Sequence, residues 1–232
     1  MPYSLGVAPI SYWHDSLVPG DDLAPRPALG GDTDADVAIV GAGFSGLWTA
    51  YYLLQADPSL RVVVIERETA GFGASGRNGG WCVGDQSAPL PVLDKAAGPA
   101  ATRAMVAEVH AAVDEVGAVA EREGIDCGFA KGGALLLATT RRQLGRLEKQ
   151  QRTFARFGHG DAYTVLGPSE TADIVRAEGV VGSLFTPHAA AIHPARLVRG
   201  LADVVERLGG TVHERTAARS LAPGGVRTEP GP

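Results

Sequence analysis

Apolar and polar positions along this chain follow two rhythms. Short unbroken apolar runs bounded by turn residues mark buried strands, and apolar positions recurring every three or four residues mark helices. Val37 to Val40 is the first such run. Ser45 to Gln55 follows with helical periodicity, placing Leu47, Ala50, Tyr51 and Leu54 on one face. Asp57, Pro58 and Ser59 supply turn chemistry, and RVVVIE at 61–66 is a second buried strand. A strand, helix and strand in so short a stretch predict a right-handed parallel crossover.

Further along, residues 99–123 read as a long amphipathic helix with Met105, Val109, Val113, Val116 and Ala120 inward and Gly124 as its stop. FAKGGALLLATT at 129–140 predicts a hairpin or strand pair around Gly132 and Gly133. Residues 141–157 predict another helix, with Leu144, Leu147, Gln151 and Phe154 inward. Its other face carries Arg142, Arg146, Lys149, Arg152 and Arg156, which reads as a solvated surface rather than a nucleic-acid site. GPSETADI resembles a helix start, with Pro168 near its first position. Short strands follow in VVGSLFTPHAAAIHP, then a helix from Pro194 to Leu208, a third candidate strand in TVHER, and a hairpin around Gly224 and Gly225. Residues 1–35, rich in Pro, Gly and Asp, read as an irregular arm with Tyr12 and Trp13 available to dock.

Composition narrows the classes. With 232 residues, 45% hydrophobic and 20% charged, the chain is long enough for one large or two modest domains with a real core. A formal charge of −5 disfavours a nucleic-acid binder, which needs a basic surface to neutralise phosphates. No apolar run approaches the roughly 20 residues that span a bilayer. The first residues lack the basic and apolar regions of a signal peptide. Cys82 and Cys127 form no CxxC pair, so neither a disulfide framework nor a metal site is suggested, and the cytoplasm is the default compartment.

The candidate chemistry sits between the two leading strands. Gly41-Ala42-Gly43-Phe44-Ser45-Gly46 is a GxGxxG turn joining strand to helix. The first glycine permits the tight turn, the second lets backbone approach a pyrophosphate, and the third lets helix and strand pack closely. The helix N-terminus presents N–H groups and positive partial charge to phosphate. About 20 residues on, Glu66 closes the second strand, where a carboxylate can accept from both ribose hydroxyls; Arg67 follows it. The bland alternative is a glycine-rich turn beside a solvated glutamate. A second GxGxxG, at Gly71, Gly73 and Gly76, follows ERETA rather than an apolar strand, so it is not another dinucleotide fingerprint. It reads as a loop lying along the same cofactor. Gly73, Ala74, Ser75, Arg77, Asn78, Gly79 and Gly80 supply backbone donors and polar reach. The long stretch from Glu66 to Thr211 fits a flavoprotein whose substrate domain interrupts the nucleotide fold.

Four segments carry a resemblance along nearly the whole chain: SYW at 11–13, DVAIVGAGFSGLWTAYYL, GFGASGRNGG, and IHPARLVRGLADVVERLGGTVHE. They resemble the FAD-dependent oxidoreductases of the D-amino-acid oxidase superfamily, in the branch similar to gamma-glutamylputrescine oxidase. The resemblance implies an α/β fold: a Rossmann-like FAD-binding domain with a parallel sheet, interrupted by an α+β substrate domain. The implied division is an arm (1–35), the first part of the FAD domain (36–98), part of the substrate domain (99–185) and the return to the FAD domain (186–232). FAD would extend from Gly41–Gly46 and Glu66 along the glycine loop. Ala218 stands where the family often has valine against the adenine.

The implied reaction is oxidation of the C–N bond of a small amine or amino acid, with hydride passing from the carbon next to nitrogen to flavin. No catalytic side chain is assigned. His193 reads either as helix-entry packing or as a group near the flavin edge, and a covalent tether through Cys82, Cys127 or a histidine is the less favoured arrangement. Family members are roughly twice as long, so the C-terminal half is expected to be absent, and residues 1–232 alone are expected to hold FAD poorly and turn over no amine. Competing readings are an NAD(P)-dependent Rossmann dehydrogenase and a non-catalytic remnant.

Overall fold

The computed structural model describes residues 11–17, 24–86 and 88–229. In chain order its elements are α1 (Tyr12–Asp15), β1 (Val37–Val40), α2 (Phe44–Ala56), β2 (Val62–Ile65), β3 (Trp81–Val83) and α3 (Leu90–Glu123). Then come β4 (Ala134–Ala138), α4 (Arg141–Arg156), β5 (Thr164–Leu166), α5 (Pro168–Ile174) and β6 (Gly182–Thr186). The chain closes with β7 (Ala189–Ala191), α6 (Pro194–Arg207), β8 (Thr211–His213), β9 (Ala218–Ala222) and β10 (Gly225–Thr228). Contacts divide it into two compact units, one formed by residues 1–80, 120–128 and 193–232, the other by 81–119 and 129–192.

The first unit is built on a parallel sheet in the order β1-β2-β8. Val37 faces Val62 across the first pairing, and Val63 faces Thr211 across the second. All four residues of β2 are buried, which explains its unbroken Val-Val-Val-Ile run: a central parallel strand is covered on both faces. Against β1 and β2, α2 buries Leu47, Ala50, Tyr51 and Leu54, the face expected from its periodicity. Beside it, α6 buries Leu197, Val198, Leu201, Ala202, Val204 and Val205. Each large aliphatic side chain so buried contributes about 1.5–3 kcal/mol. Across the other sheet face, Leu221, Ala222 and Val226 of the β9–β10 hairpin line a cleft with Ala38, Val63 and Ile65.

The second unit holds an antiparallel sheet in the order β4-β6-β5 and a two-stranded ribbon of β3 and β7. Its core gathers Leu90, Val106, Phe154, Phe157, Tyr163 and Leu184. Thr140 opens α4 with a capping box, accepting from Gln143 N while the Gln143 side chain reaches back to the cap.

The structure moves several expected features. The first unit's leading segment ends at Gly80 rather than residue 98, because Trp81–Val83 pairs with Ala189–Ala191 and both strands belong to the second unit. The chain accordingly returns to the first unit at His193, not at 186. Residues 120–128 also belong to the first unit. Glu123 accepts from Tyr51 Oη at 2.9 Å and from Arg207 Nη2 at 2.7 Å, and Ile125 fills the space left by Gly200. The helix expected from residue 99 starts at Leu90, since a break at Gly98 (φ +82°, ψ 168°) joins two helical stretches and Pro99 opens the second. Its buried line is Thr102, Val106, His110 and Val113; Met105 is 48% exposed instead of inward. No hairpin forms around Gly132 and Gly133. Ala130 bridges to Ala191, and β4 pairs with β6. The arm is not wholly irregular, because residues 12–15 form a helical turn; residues 1–10 and 18–23 lie outside the described residues, as does the end of the Pro-rich tail.

Candidate cofactor site

The corner between β1 and α2 is where the glycine pattern places it. Gly41 takes φ +103°, a left-handed conformation open to glycine, and its N–H donates to Ile65 O at 2.7 Å. A Cβ on Gly46 would overlap Gly41 O and approach Ile39 Cγ2 at 3.2 Å, so glycine here sets how closely helix and strand meet. The first intrahelical bond of α2 runs from Leu47 N–H to Gly43 O at 3.0 Å. Phe44, Ser45 and Gly46 thus present N–H groups that the helix itself does not use. Ser45 is exposed, while Ala42 is buried beneath the turn.

Glu66 stands at the end of β2, and its N–H donates to His213 O at 2.8 Å. Its Oε2 accepts from Ala42 N at 2.9 Å and its Oε1 from Glu68 N at 3.0 Å. The carboxylate therefore turns back to the glycine corner, and each oxygen keeps lone-pair capacity for a further donor. Arg67, beside it, is exposed and pairs with Glu68 at 3.4 Å. The chain returning after β8 runs alongside: Arg215 N–H donates to Glu68 O and Thr216 N–H to Glu66 O, at 2.9 and 2.8 Å. Ala218 begins β9 two residues later and is partly buried.

The glycine loop is tied to this corner at two points. Gly71 N–H donates to Ala42 O at 3.0 Å, and Phe44 N–H donates to Ser75 Oγ at 2.9 Å. Its glycines divide into two sets. A Cβ on Gly71 would overlap Val198 of α6, and one on Gly76 would overlap Gly71 O, so these two serve packing within the protein. Gly73 and Gly79 have open space where a Cβ would stand and are exposed. Ala74 and Ser75 enter a 3-10 turn ending at Gly76. Asn78 folds back on the loop, its Nδ2 donating to Ser75 O at 2.9 Å and its Oδ1 accepting from Gly80 N–H at 2.9 Å. Arg77 is exposed and lies over the Phe72 ring at 5.1 Å.

Two residues near this corner, Glu214 and His14, carried no sequence signal, and Trp13, expected to be available for docking, has a defined partner on the loop. Glu214 is fully buried and accepts from Ala70 N–H at 2.8 Å and Arg26 N–H at 2.8 Å. His14 is buried against the loop, and its pKa is lowered by burial first and then by Arg199, Arg77 and His193. Trp13 donates from Nε1 to Asn78 O at 2.7 Å. His193 caps α6, its Nδ1 accepting from Arg196 N–H at 3.2 Å, which is the helix-entry role.

A strand-to-helix glycine corner, a helix N-terminus whose Ser45 and Gly46 N–H groups the helix does not use, and an acid at the second strand end together define a Rossmann-type dinucleotide-binding unit. The residues fit a diphosphate and ribose: N–H donors at Ser45 and Gly46, acceptors at Glu66, and open space where a Cβ on Gly41 would stand. The chain belongs to the FAD dependent oxidoreductase (DAO) family, matching it over residues 36–231. Gamma-glutamylputrescine oxidoreductase of Escherichia coli K12 is 33% identical over 211 residues, covering 90% of this chain and 49% of that protein. The crystal structure of glycine oxidase from Geobacillus kaustophilus superposes with a TM-score of 0.64 at 26% identity, covering 85% of this chain and 52% of that one. An L-amino acid deaminase structure from Proteus vulgaris shares the fold, with a TM-score of 0.70 at 19% identity over 92% of this chain and 55% of that one. The chain spans about half the length of the curated relatives it matches. Among the described residues no helix is long and apolar enough to cross a membrane.

Proposed function

We propose that this chain forms the FAD-holding portion of an oxidoreductase acting on the C–N bond of a small amine or amino acid. The observation that carries the reading is the Glu66 carboxylate turned onto Ala42 N–H at the GxGxxG corner, in a chain of the FAD dependent oxidoreductase family. FAD, when bound, supplies the two-electron acceptor for C–N oxidation. The N–H groups of Ser45 and Gly46 would hold the diphosphate, with Phe44 N–H already given to Ser75 Oγ, and Glu66 would hold the ribose hydroxyls. Arg67 would stand beside the ribose, and Ala218 beside the adenine. Gly73, Ala74, Ser75, Arg77, Asn78, Gly79 and Gly80 would lie along the cofactor from pyrophosphate to ring, with exposed Gly73 and Gly79 permitting close main-chain approach. The names of the relatives, one acting on gamma-glutamylputrescine and one on glycine, support an amine or amino-acid substrate. A cytoplasmic location is part of this reading, with Cys82 and Cys127 both outside any disulfide.

Equilibrium dialysis of the purified chain against FAD, NAD and ADP tests it. FAD should bind more tightly than NAD, and ADP should displace it. Equal or stronger binding of NAD would favour a nicotinamide-dependent dehydrogenase and overturn the proposal.

A further inference from the structure

The segment at 11–17 is bonded to the glycine loop beyond Ser75 in sequence. Trp13 Nε1–H donates to Asn78 O at 2.7 Å, and Ser11 Oγ–H donates to Gly76 O at 3.3 Å. With that hydroxyl proton committed to Gly76, His14 Nδ1, 2.8 Å from Ser11 Oγ, supplies the proton of its own bond. The His14 ring also closes on the loop: a Cβ at Gly76 would come within 3.0 Å of His14 Cε1. The segment is anchored at its far end. His193 Nδ1 accepts from Arg196 N–H, so its Nε2 carries the proton toward Ser16 Oγ at 3.1 Å, and Ser16 Oγ–H donates to Trp13 O at 3.2 Å. The Trp13 and His193 rings meet edge to face at 5.1 Å. The loop is thus bonded to the α2 N-terminus through Ser75 and to the segment at 11–17 through two carbonyls.

We propose that Trp13 and Ser11 are positioning residues that hold the Gly76–Gly80 turn in place, so that Ser75 meets the α2 N-terminus and the loop is preorganised for the cofactor. This rests on the FAD reading above, and acts through the loop rather than by contact with reacting atoms. Preorganisation of this kind raises affinity by removing an ordering cost at binding. An N–H to carbonyl bond contributes about 0.5–1.5 kcal/mol net, which is roughly a two- to tenfold change.

Amide hydrogen exchange of the cofactor-free full chain tests the clamp directly. Trp13→Phe keeps an aromatic ring, smaller than the indole, and removes the donor; Ser11→Ala removes the bond to Gly76 O, together with that to His14 Nδ1, without touching the indole. Both should speed exchange within residues 71–80 by roughly two- to tenfold, leave β2 and α6 unchanged, and weaken FAD by a similar factor. Faster exchange throughout the first unit would mark Trp13 as ordinary packing and overturn the proposal, as would unchanged exchange at 71–80 in both variants. If the unmodified chain holds FAD too poorly to measure, as expected of residues 1–232 alone, the exchange comparison by itself still decides whether α1 holds the loop. NAD binding as tight as FAD or tighter would overturn the functional reading and leave the exchange result standing.

Discussion

Glu66 Oε2 accepts the Ala42 N–H at 2.9 Å, so the acid closing the second strand is held against the turn leaving the first. The same carboxylate takes Glu68 N–H at 3.0 Å, which fixes its orientation from the other side. Glu66→Gln keeps the shape but makes one of these positions a donor facing a donor. A hydrogen bond to a charged group contributes about 1.5–3 kcal/mol. FAD affinity should fall by roughly ten- to a hundredfold, read by quenching of flavin fluorescence. Affinity within twofold of the parent would show that Glu66 does not meet the ribose.

The two kinds of glycine should respond differently to alanine. A methyl at Gly46 overlaps the Gly41 carbonyl, which is backbone and cannot swing aside. Overpacking of this kind destabilises by about 1–3 kcal/mol. Gly46→Ala should therefore lower the thermal midpoint, by about 2–4 °C for each kcal/mol in a chain of this size. Gly79→Ala places its methyl in open space and should leave the midpoint unchanged while weakening FAD. The pair separates fold from binding, and the idea fails if Gly79→Ala unfolds the chain or Gly46→Ala is silent.

The contrast between these glycines shows what local pattern can and cannot encode. The β1-α2-β2 unit and Glu66 were legible because strand runs, helical period and glycine spacing are all local signals. Gly71 and Gly76 look the same as Gly73 and Gly79 in sequence, yet only the first two are packed against protein, and that depends on Val198 and on the loop's own fold. Trp13 reaches Asn78 across 65 positions, a pairing no periodicity announces. The first stretch of α3 was hidden by Pro91 and Gly98, residue types that disfavour a helix interior. Within that alanine-rich helix the apolar line is faint, and the choice between Met105 and its neighbour Val106 rests on tertiary contact.

Arg26 fastens residues 24–33 to the first unit through a buried acid. Its side chain is 10% exposed and meets Glu214, which is 0% exposed, at 3.3 Å, along with Glu206 at 2.8 Å and Asp203. Removing one partner of a buried pair costs about 3–5 kcal/mol, because the other charge stays buried. Arg26→Ala should approach the lower end, since Glu214 retains Ala70 N–H and the Arg26 backbone N–H. Adding Glu214→Gln should restore part of the loss in urea unfolding. A double variant no more stable than Arg26→Ala alone would remove the buried charge as the cause.

Acid should loosen the second unit through His110. The imidazole is 6% exposed, stacks on the His188 ring at 3.8 Å between centroids with planes 3° apart, and meets His159 edge-on at 5.5 Å. Its Nε2 pairs with Tyr163 Oη at 3.1 Å. Burial, then His188, then His159 lower its pKa from 6.5 to about 4. His188 is lowered as well, by burial and then by Lys131. A histidine whose folded pKa is depressed is neutral in both states above its unfolded value, so it exacts no penalty there. As pH falls below 6.5 the unfolded chain takes up the proton first, and stability is lost progressively until the folded pKa near 4 is passed. A shift of this size corresponds to a loss on the order of 3 kcal/mol across that window. His110→Gln cannot take up the proton and should flatten the acid limb of the stability curve, measured by urea unfolding between about pH 7 and pH 4. Parallel curves for the variant and the parent would place the acid sensitivity elsewhere, whereas a shallower acid limb in the variant would assign it to this imidazole.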